Sequence, residues 1–257
     1  MVLTFNTLFR PAARRRLRAI APHIDASGAD LVCLQEVVYR ANASLLARAL
    51  TSYEPPVARR FGIWCVGGLV TLSRTPVQHW SYEVFDRRGR WLSIGAADRL
   101  LRKGFLTSRH RLFDIDVVLV NTHLLANYDQ DWSPGNRYLS DESSELAQLS
   151  KALEKLDPSA LVIVAGDFNL PAGTPVLDRF VADNGLKSAF GQGPPPPTLR
   201  HSKDVRSLAI DHIFYRAPSG RTVAAAAETL FEEAIEVAPG VSAFASDHLA
   251  VRATLTV

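Results

Sequence analysis

Two cysteines in 257 residues are too few for a disulfide framework, and Cys33 and Cys65 each sit in an apolar, strand-like run. The expectation is two buried thiols and no zinc site, because no metal-type cysteine spacing exists. Excess charge of either sign is also scarce: 29 Lys and Arg against 26 Asp and Glu leave a net charge of +3. That balance suits an anionic substrate without marking a nucleic-acid binder by itself. No apolar run is long enough to cross a bilayer, and Met1 leads straight into the first apolar segment with neither a charged nor a hydrophobic leader. If Met1 is the native start, the expected compartment is the cytoplasm; if a signal has been removed ahead of it, the expectation is secretion. Strand and helix blocks alternate, but no internal sequence repeat is visible.

What is present is enough apolar residue, 47% of the chain, to bury one large core over residues 1–257. The first third alternates strand and helix: Val2 to Asn6, Pro11 to about Ala26, Leu31 to Glu36, then roughly Asn42 to Ser52. From Val57 to His123 the pattern is mostly extended, with Gly67 to Ser73 and Phe113 to Thr122 as strands. A helix from about Asp141 to Leu156, the Leu161 strand and a helix from about Pro175 to Asn184 precede the last strands. The order is α/β, and two mixed β-sheets packed face to face and flanked by helices would satisfy it. Arg14, Arg15, Arg16 and Arg18 interleave with Leu17 and Ile20 as on the wet face of a surface helix. The loop Ala126 to Tyr138 reads as a cover for a site or a surface excursion, and Gly191 to Arg206, with Pro194 to Pro197, as a stiff rim element.

The most informative stretch is Gly166-Asp167-Phe168-Asn169, which follows the buried-strand run Leu161 to Ala165. A carboxylate and a carboxamide two positions apart on an extended strand project to one side, where they can meet a hydrated cation and a phosphate together. The alternative is a turn closing the strand, which Asp and Asn favour. Four more strand ends carry polar groups: Asn6, Gln35-Glu36, Asn121-Thr122-His123 and Ser246-Asp247-His248; Asp211 stands inside the apolar run Ile210 to Tyr215. Such clustering at strand ends suggests one site assembled from distant segments.

Through Asn6, Gln35-Glu36, Thr122-His123, Gly166 to Asn169, Ile210-Asp211-His212 and Ser246-Asp247-His248, in that order, the chain resembles the endonuclease/exonuclease/phosphatase superfamily, the deoxyribonuclease I-like metal-dependent phosphoesterases. The resemblance spans almost the whole chain and implies a four-layer α/β sandwich and hydrolysis of a phosphate ester. It implies Mg²⁺, or Mn²⁺ or another divalent ion, on Glu36 with Asn6 beside it, since Mg²⁺ prefers oxygen ligands and keeps several waters; Asp247 is expected at the metal or its water shell. His248 is expected to take a proton from water and Asp211 to fix its tautomer; Asp167 competes for the role of base. His123 and Asn169 are expected to donate to the phosphate. His212, on the face opposite Asp211, reads as structural.

Around these motifs, Asn6-Thr7-Leu8, Gly67 to Arg74, Arg102-Lys103-Gly104-Phe105 and Asn121 to Ala126 are most similar to the neutral sphingomyelinase-like phospholipase C branch. There Lys103 is expected near the phosphate, against the alternative of an exposed strand-edge lysine. The Trp-rich segment of abasic-site nucleases and the Cys-Asp-Arg signature of inositol phosphatases are absent. Membrane-acting bacterial sphingomyelinases carry an aromatic hairpin before the terminal Asp-His, whereas Pro239 to Ala245 offers one Phe, so stable membrane insertion is not expected. The substrates left in view are a lipid headgroup, a soluble phosphoester and, for a nuclease of the same fold, DNA or RNA. A monomer is expected. The non-enzyme alternative is a binding module whose fold outlived its chemistry; a Glu with an Asp-steered His argues against it.

Overall fold

The structure, a computed structural model, describes residues 1–86, 101–200 and 207–257. Positions 87–100 of the extended Val57 to His123 stretch, and 201–206 of the Gly191 to Arg206 loop with His201, lie outside them. Two mixed sheets carry the fold. In the first, β12 (Ala224–Leu230), β15 (Ala250–Thr256), β1 (Val2–Asn6), β2 (Leu31–Gln35) and β5 (Val70–Ser73) lie side by side in that order. In the second the order is β10 (Lys187–Ser188), β11 (Asp211–Arg216), β9 (Leu161–Asp167), β8 (Ile115–His123), β7 (Gly104–Leu112) and β6 (His79–Val84). Each sheet has one parallel pair at its centre, β1 with β2 and β8 with β9.

Strands β1, β2 and β9 are buried along their whole length and β8 from Val117 onward, which is why their sequences read as continuous apolar runs instead of alternating. Alternate residues serve different layers. Leu31, Cys33, Val117, Leu119, Leu161 and Ile163 pack between the sheets, while Val32 and Leu34 face helices α1 (Ala13–Ala26) and α2 (Arg40–Ala49). Val118, Val120, Val162 and Val164 face α3 (Arg137–Leu153) and α4 (Pro175–Asp183). The result is helix, sheet, sheet, helix: the four-layer sandwich. Both cysteines are buried and free. Among the described residues no helix is long and apolar enough to cross a membrane.

Polar groups bolt the sheets together near their carboxyl ends. Gln35 Nε2 donates to Asn121 Oδ1 at 2.9 Å, and Asn121 Nδ2 donates to Val70 O at 3.1 Å. In the dry layer between two sheets an unpaired amide would be expensive, so this reciprocal pairing also fixes the relative setting of the strand ends.

Element boundaries depart from expectation for identifiable reasons. The third helix starts at Arg137 and not near Asp141, because the Asn136 side chain accepts from Tyr138 N at 2.8 Å and caps it. The first helix starts at Ala13 because Ala12 takes a left-handed conformation, φ 68°, and Arg16 ties residues 8 and 11 into a loop through Leu8 O and Pro11 O. Gly67 and Gly68 form a tight turn ahead of β5 instead of extending it.

Gly166 lies tight against β8: a Cβ there would stand 2.0 Å from Thr122 O. Gly166→Ala is therefore expected to lower unfolding free energy by roughly 3 kcal/mol or more, read from the urea midpoint. A midpoint equal to wild type would contradict the close approach.

Candidate active site

The topology puts His123, Asp167 and Asp211 on one rung. In register, His123 of β8 lies opposite Asp167 of β9, and Asp167 opposite Asp211 of β11. Asn6 and Glu36, at the ends of β1 and β2, face that rung from the other sheet. Asn6 Nδ2 bridges the two carboxylates, 3.1 Å from Glu36 Oε1 and 2.9 Å from Asp167 Oδ2. Its Oδ1 accepts from Leu8 N at 3.0 Å.

Glu36 leaves the strand with φ 62°, a left-handed conformation that a glutamate adopts at a cost of about 1–2 kcal/mol. Gly68 permits it: a Cβ on Gly68 would stand 3.1 Å from Glu36 Cα, and Val37 N donates to Gly68 O at 2.9 Å. The other Glu36 oxygen accepts from Phe9 N, at the crest of the loop that Arg16 holds. Arg16 is thus half-buried scaffolding, unlike exposed Arg14, Arg15 and Arg18. Asn169 is likewise left-handed, φ 52°, a conformation Asn tolerates. Its backbone N donates to Asp167 Oδ1 at 2.9 Å, its Nδ2 to Leu124 O at 3.0 Å, and its carbonyl accepts from Trp132 Nε1 at 3.2 Å.

His248 precedes β15 and completes the ring. Its Nδ1 lies 2.8 Å from Asp211 Oδ2, while Nε2 is 3.9 Å from both Asp167 Oδ2 and Asp247 Oδ1. Burial disfavours charge on His248, but the carboxylates of Asp211, Asp167 and Asp247 outweigh it and hold the imidazole above its ordinary value. Nδ1–H therefore donates to Asp211. Asp167 is raised, first by burial and then by Asp211. His123 is pushed well below its ordinary value by burial and by the Lys103 and His248 charges. A neutral ring accepts at Nε2 from Lys103 Nζ, 3.0 Å away, and Lys103 also donates to Leu124 O at 2.8 Å. Lys103 is buried beside His123, not exposed on a strand edge. Asp247 is 40% exposed, with Arg10 Nη2 at 3.9 Å.

The nine residues singled out from the sequence thus lie in one linked set. His212 lies outside it, stacked on Phe214 with Nε2 against Leu170 O. Thr198 went unnoticed in the sequence: its Oγ1 accepts from Ile210 N and Asp211 N at 3.1 and 3.0 Å, and Leu249 N donates to Thr198 O. Arg200 N donates to Asp247 O at 2.8 Å. The residues after the proline run thereby align Asp211 with His248. A Thr following four prolines carries no periodic signal that would have found it.

Asp167, Asp211 and His248 bring ligand atoms within 4.8 Å of one another, and Glu36 adds an anionic oxygen across the Asn6 amide. Asp211 Oδ1 is buried without a hydrogen-bond partner. An oxygen-rich, anionic donor set with an orphaned carboxylate oxygen fits a hard divalent cation.

Glu142 of α3 is fully buried, and burial together with neighbouring Glu145 pushes its carboxyl up to about 9. A raised native pKa means stability that is full below about 4.5 and lost as pH rises toward about 9. Glu142→Gln is expected to flatten the urea stability profile over that window and to leave the acid end unchanged. An equal slope in both proteins would contradict the buried-acid assignment.

The pattern of the Endonuclease/Exonuclease/phosphatase family matches residues 3–248. No curated protein sequence matches the chain. Among solved structures, humanized D. rerio TDP2 is similar at TM-score 0.76 and 17% identity, over 100% of this chain and 98% of that one. Sphingomyelinase C from Streptomyces griseocarneus is similar at 0.71 and 20%, over 98% and 97%. Beta toxin from Staphylococcus aureus is similar at 0.76 and 15%, over 98% of each. At these identities the structures speak for the fold, and the family pattern for descent. With that pattern spanning nearly every strand end that meets in the site, the chain belongs to the endonuclease/exonuclease/phosphatase family.

Proposed function

We propose that this chain is a Mg²⁺-dependent phosphodiesterase whose reaction is of the phospholipase C and sphingomyelinase type. The observation that carries the hydrolytic reading is the Asp211–His248 pair at 2.8 Å, with His248 Nε2 directed toward Asp167. Glu36 and Asn6, with Asp247 at the open side, would hold the ion, Asn6 by turning its amide oxygen inward. Bound there, Mg²⁺ supplies charge neutralisation to the phosphoryl and leaving oxygens.

The remaining work belongs to the chain's own groups. Asp211 holds His248 Nδ1–H and leaves Nε2 to face the attacking water, which Asp167 orients from the other side. Either Asp167 or His248 could take the proton of the water, since positive charge held at Glu36 and Asn6 would favour the deprotonated form of both. The second Nδ2 hydrogen of Asn169 would donate to a phosphoryl oxygen, and His123 would do so from Nε2 only on taking a proton there in place of the Lys103 hydrogen bond. Lys103 places a fixed positive charge behind His123, which favours accumulation of negative charge at the phosphate. The lipid-type substrate rests on the similarity of the Gly67 to Arg74 and Arg102 to Phe105 segments to the sphingomyelinase branch.

A second reading, a nuclease, is favoured by the similarity to D. rerio TDP2 complexed with single strand DNA product, at TM-score 0.73 and 17% identity. A Mg²⁺-supplemented panel of sphingomyelin, lysophospholipid, single- and double-stranded DNA, RNA and simple phosphate esters decides between them. Turnover of sphingomyelin or lysophospholipid above nucleic acid is expected. Nuclease turnover with inert choline lipids would replace the lipid reading.

A further inference from the structure

Beside Glu36 the surface turns apolar. The hairpin β3 (Arg60–Phe61) to β4 (Trp64–Cys65) stands out with Phe61 67% exposed, Ile63 at its turn 64% and Trp64 41%, and Phe9 joins it at 38%. Between them opens a cavity of about 340 Å³ lined by Phe9, Val38, Phe61, Trp64, Val66 and Leu101. Clustered exposed aromatics and aliphatics of this kind mark an interaction surface. It is continuous with the candidate active site, because the backbone of Phe9 donates to Glu36.

Cations frame the patch. Arg40 Nη1 donates to Gly62 O at 3.0 Å and holds the turn, Arg14 shares a second cavity with Ile63, Arg60 is exposed within the hairpin, and Arg10 is 68% exposed beside Phe9. Apolar tips with arginines behind them suit an interface of anionic headgroups over acyl chains. Base stacking is served less well, since it needs open ring faces. Trp64 already stacks on Tyr39 at 4.9 Å, and Tyr39 stands edge-on to Phe9 at 5.4 Å. Ile63 at the turn and Val38, Val66 and Leu101 in the cavity wall match flexible chains instead of planar bases. The hairpin β13 (Ile235–Ala238) to β14 (Val241–Ala243) ahead of Asp247 is the poorer candidate: it is followed by one aromatic, Phe244, and the Arg200 guanidinium lies 4.1 Å over that ring.

We propose that the Arg60 to Cys65 hairpin and Phe9 form an apolar landing surface that seats the chain peripherally on an anionic phospholipid surface, with the catalytic rung facing the headgroups. The proposal deepens the phosphodiesterase reading by naming how a lipid ester is presented, and rests on that reading for the catalysis only.

The test is co-sedimentation of the full chain with phosphatidylcholine vesicles, alone and with phosphatidylserine. Binding to the mixed vesicles, weakened by salt, is expected. Phe61→Ser with Ile63→Ser is expected to weaken it about tenfold or more, while Phe113→Ser, a change at an 89% exposed residue in the turn before β8, leaves it unchanged. In the wild-type chain, brominated acyl chains are expected to quench tryptophan fluorescence, and Trp64→Phe to remove that quenching, which keeps the test valid should the double variant misfold. Absence of vesicle binding by wild type, equal loss with Phe113→Ser, or single-stranded DNA bound through Phe61 in place of vesicles would overturn the proposal. Hydrolysis is not read in this assay, so a chain inert toward every phosphodiester but bound to vesicles through the hairpin would fail the catalytic reading alone.

Discussion

Replacing Asp211 by Asn is expected to lower kcat on any phosphodiester substrate by a factor on the order of 10³ to 10⁴ with the fold intact. The substitution keeps size but presents an amide NH₂ to His248 Nδ1, where Oδ2 now accepts at 2.8 Å. The imidazole then keeps its proton at Nε2, the nitrogen that must face the water, or turns away. With the Asp211 charge gone, only Asp167 and Asp247 offset burial, and the affinity of His248 for a proton falls. His248 is raised in the native state, so its contribution to stability is present below its unfolded value near 6.5 and lost as pH rises through the native value. Asp211→Asn is expected to remove that contribution. Steady-state kinetics with urea unfolding at pH 6 and 9 check both parts, and an Asn variant with kcat within tenfold of wild type would remove Asp211 from the mechanism.

The second large effect is expected at Asp167, and it has opposite signs for activity and stability. Asp167 accepts from Asn6 Nδ2 and Asn169 N and stands 3.4 Å from His123 and 3.9 Å from His248, so every functional group of the rung touches it or its neighbour. Asp167→Asn is expected to reduce kcat by roughly 10³. Burial and Asp211 raise its carboxyl in the native state, so stability is full below about 3.8 and declines as pH climbs through the native value. Removing the charge is therefore expected to stabilise the chain at pH 8 by about 1 kcal/mol or more. A variant less stable than wild type at that pH would show that the carboxylate is better satisfied than its neighbours indicate.

Much of this arrangement was legible because strands buried on both faces announce themselves as apolar runs, and polar residues at their ends break those runs abruptly. Asn6, Glu36, His123 and Asp167 are all of that type, and Asp211 stood out as a carboxylate inside such a run. The four layers were implied by the family resemblance and compatible with the element order, with boundaries shifted where local contacts intervened, as at the Asn136 cap and the left-handed Ala12. What stayed hidden was held by loops. Thr198 acts through a hydroxyl on the backbone of Asp211, and Arg16 through two carbonyls of the loop over Glu36; neither uses a side-chain pairing that spacing could reveal. Burial of Lys103 and Glu142 was likewise unreadable, since charged residues are rarely enclosed and their enclosure here depends on segments distant in sequence.

The central claim is that strand ends from both sheets form one cation-dependent phosphoester site. Hydrolysis of bis-p-nitrophenyl phosphate by chelator-stripped protein, with and without added Mg²⁺ and beside His248→Ala, tests it most directly. No turnover when stripped, recovery with Mg²⁺, and no recovery in His248→Ala are predicted. Equal turnover with and without chelator, or full activity in His248→Ala, would contradict it.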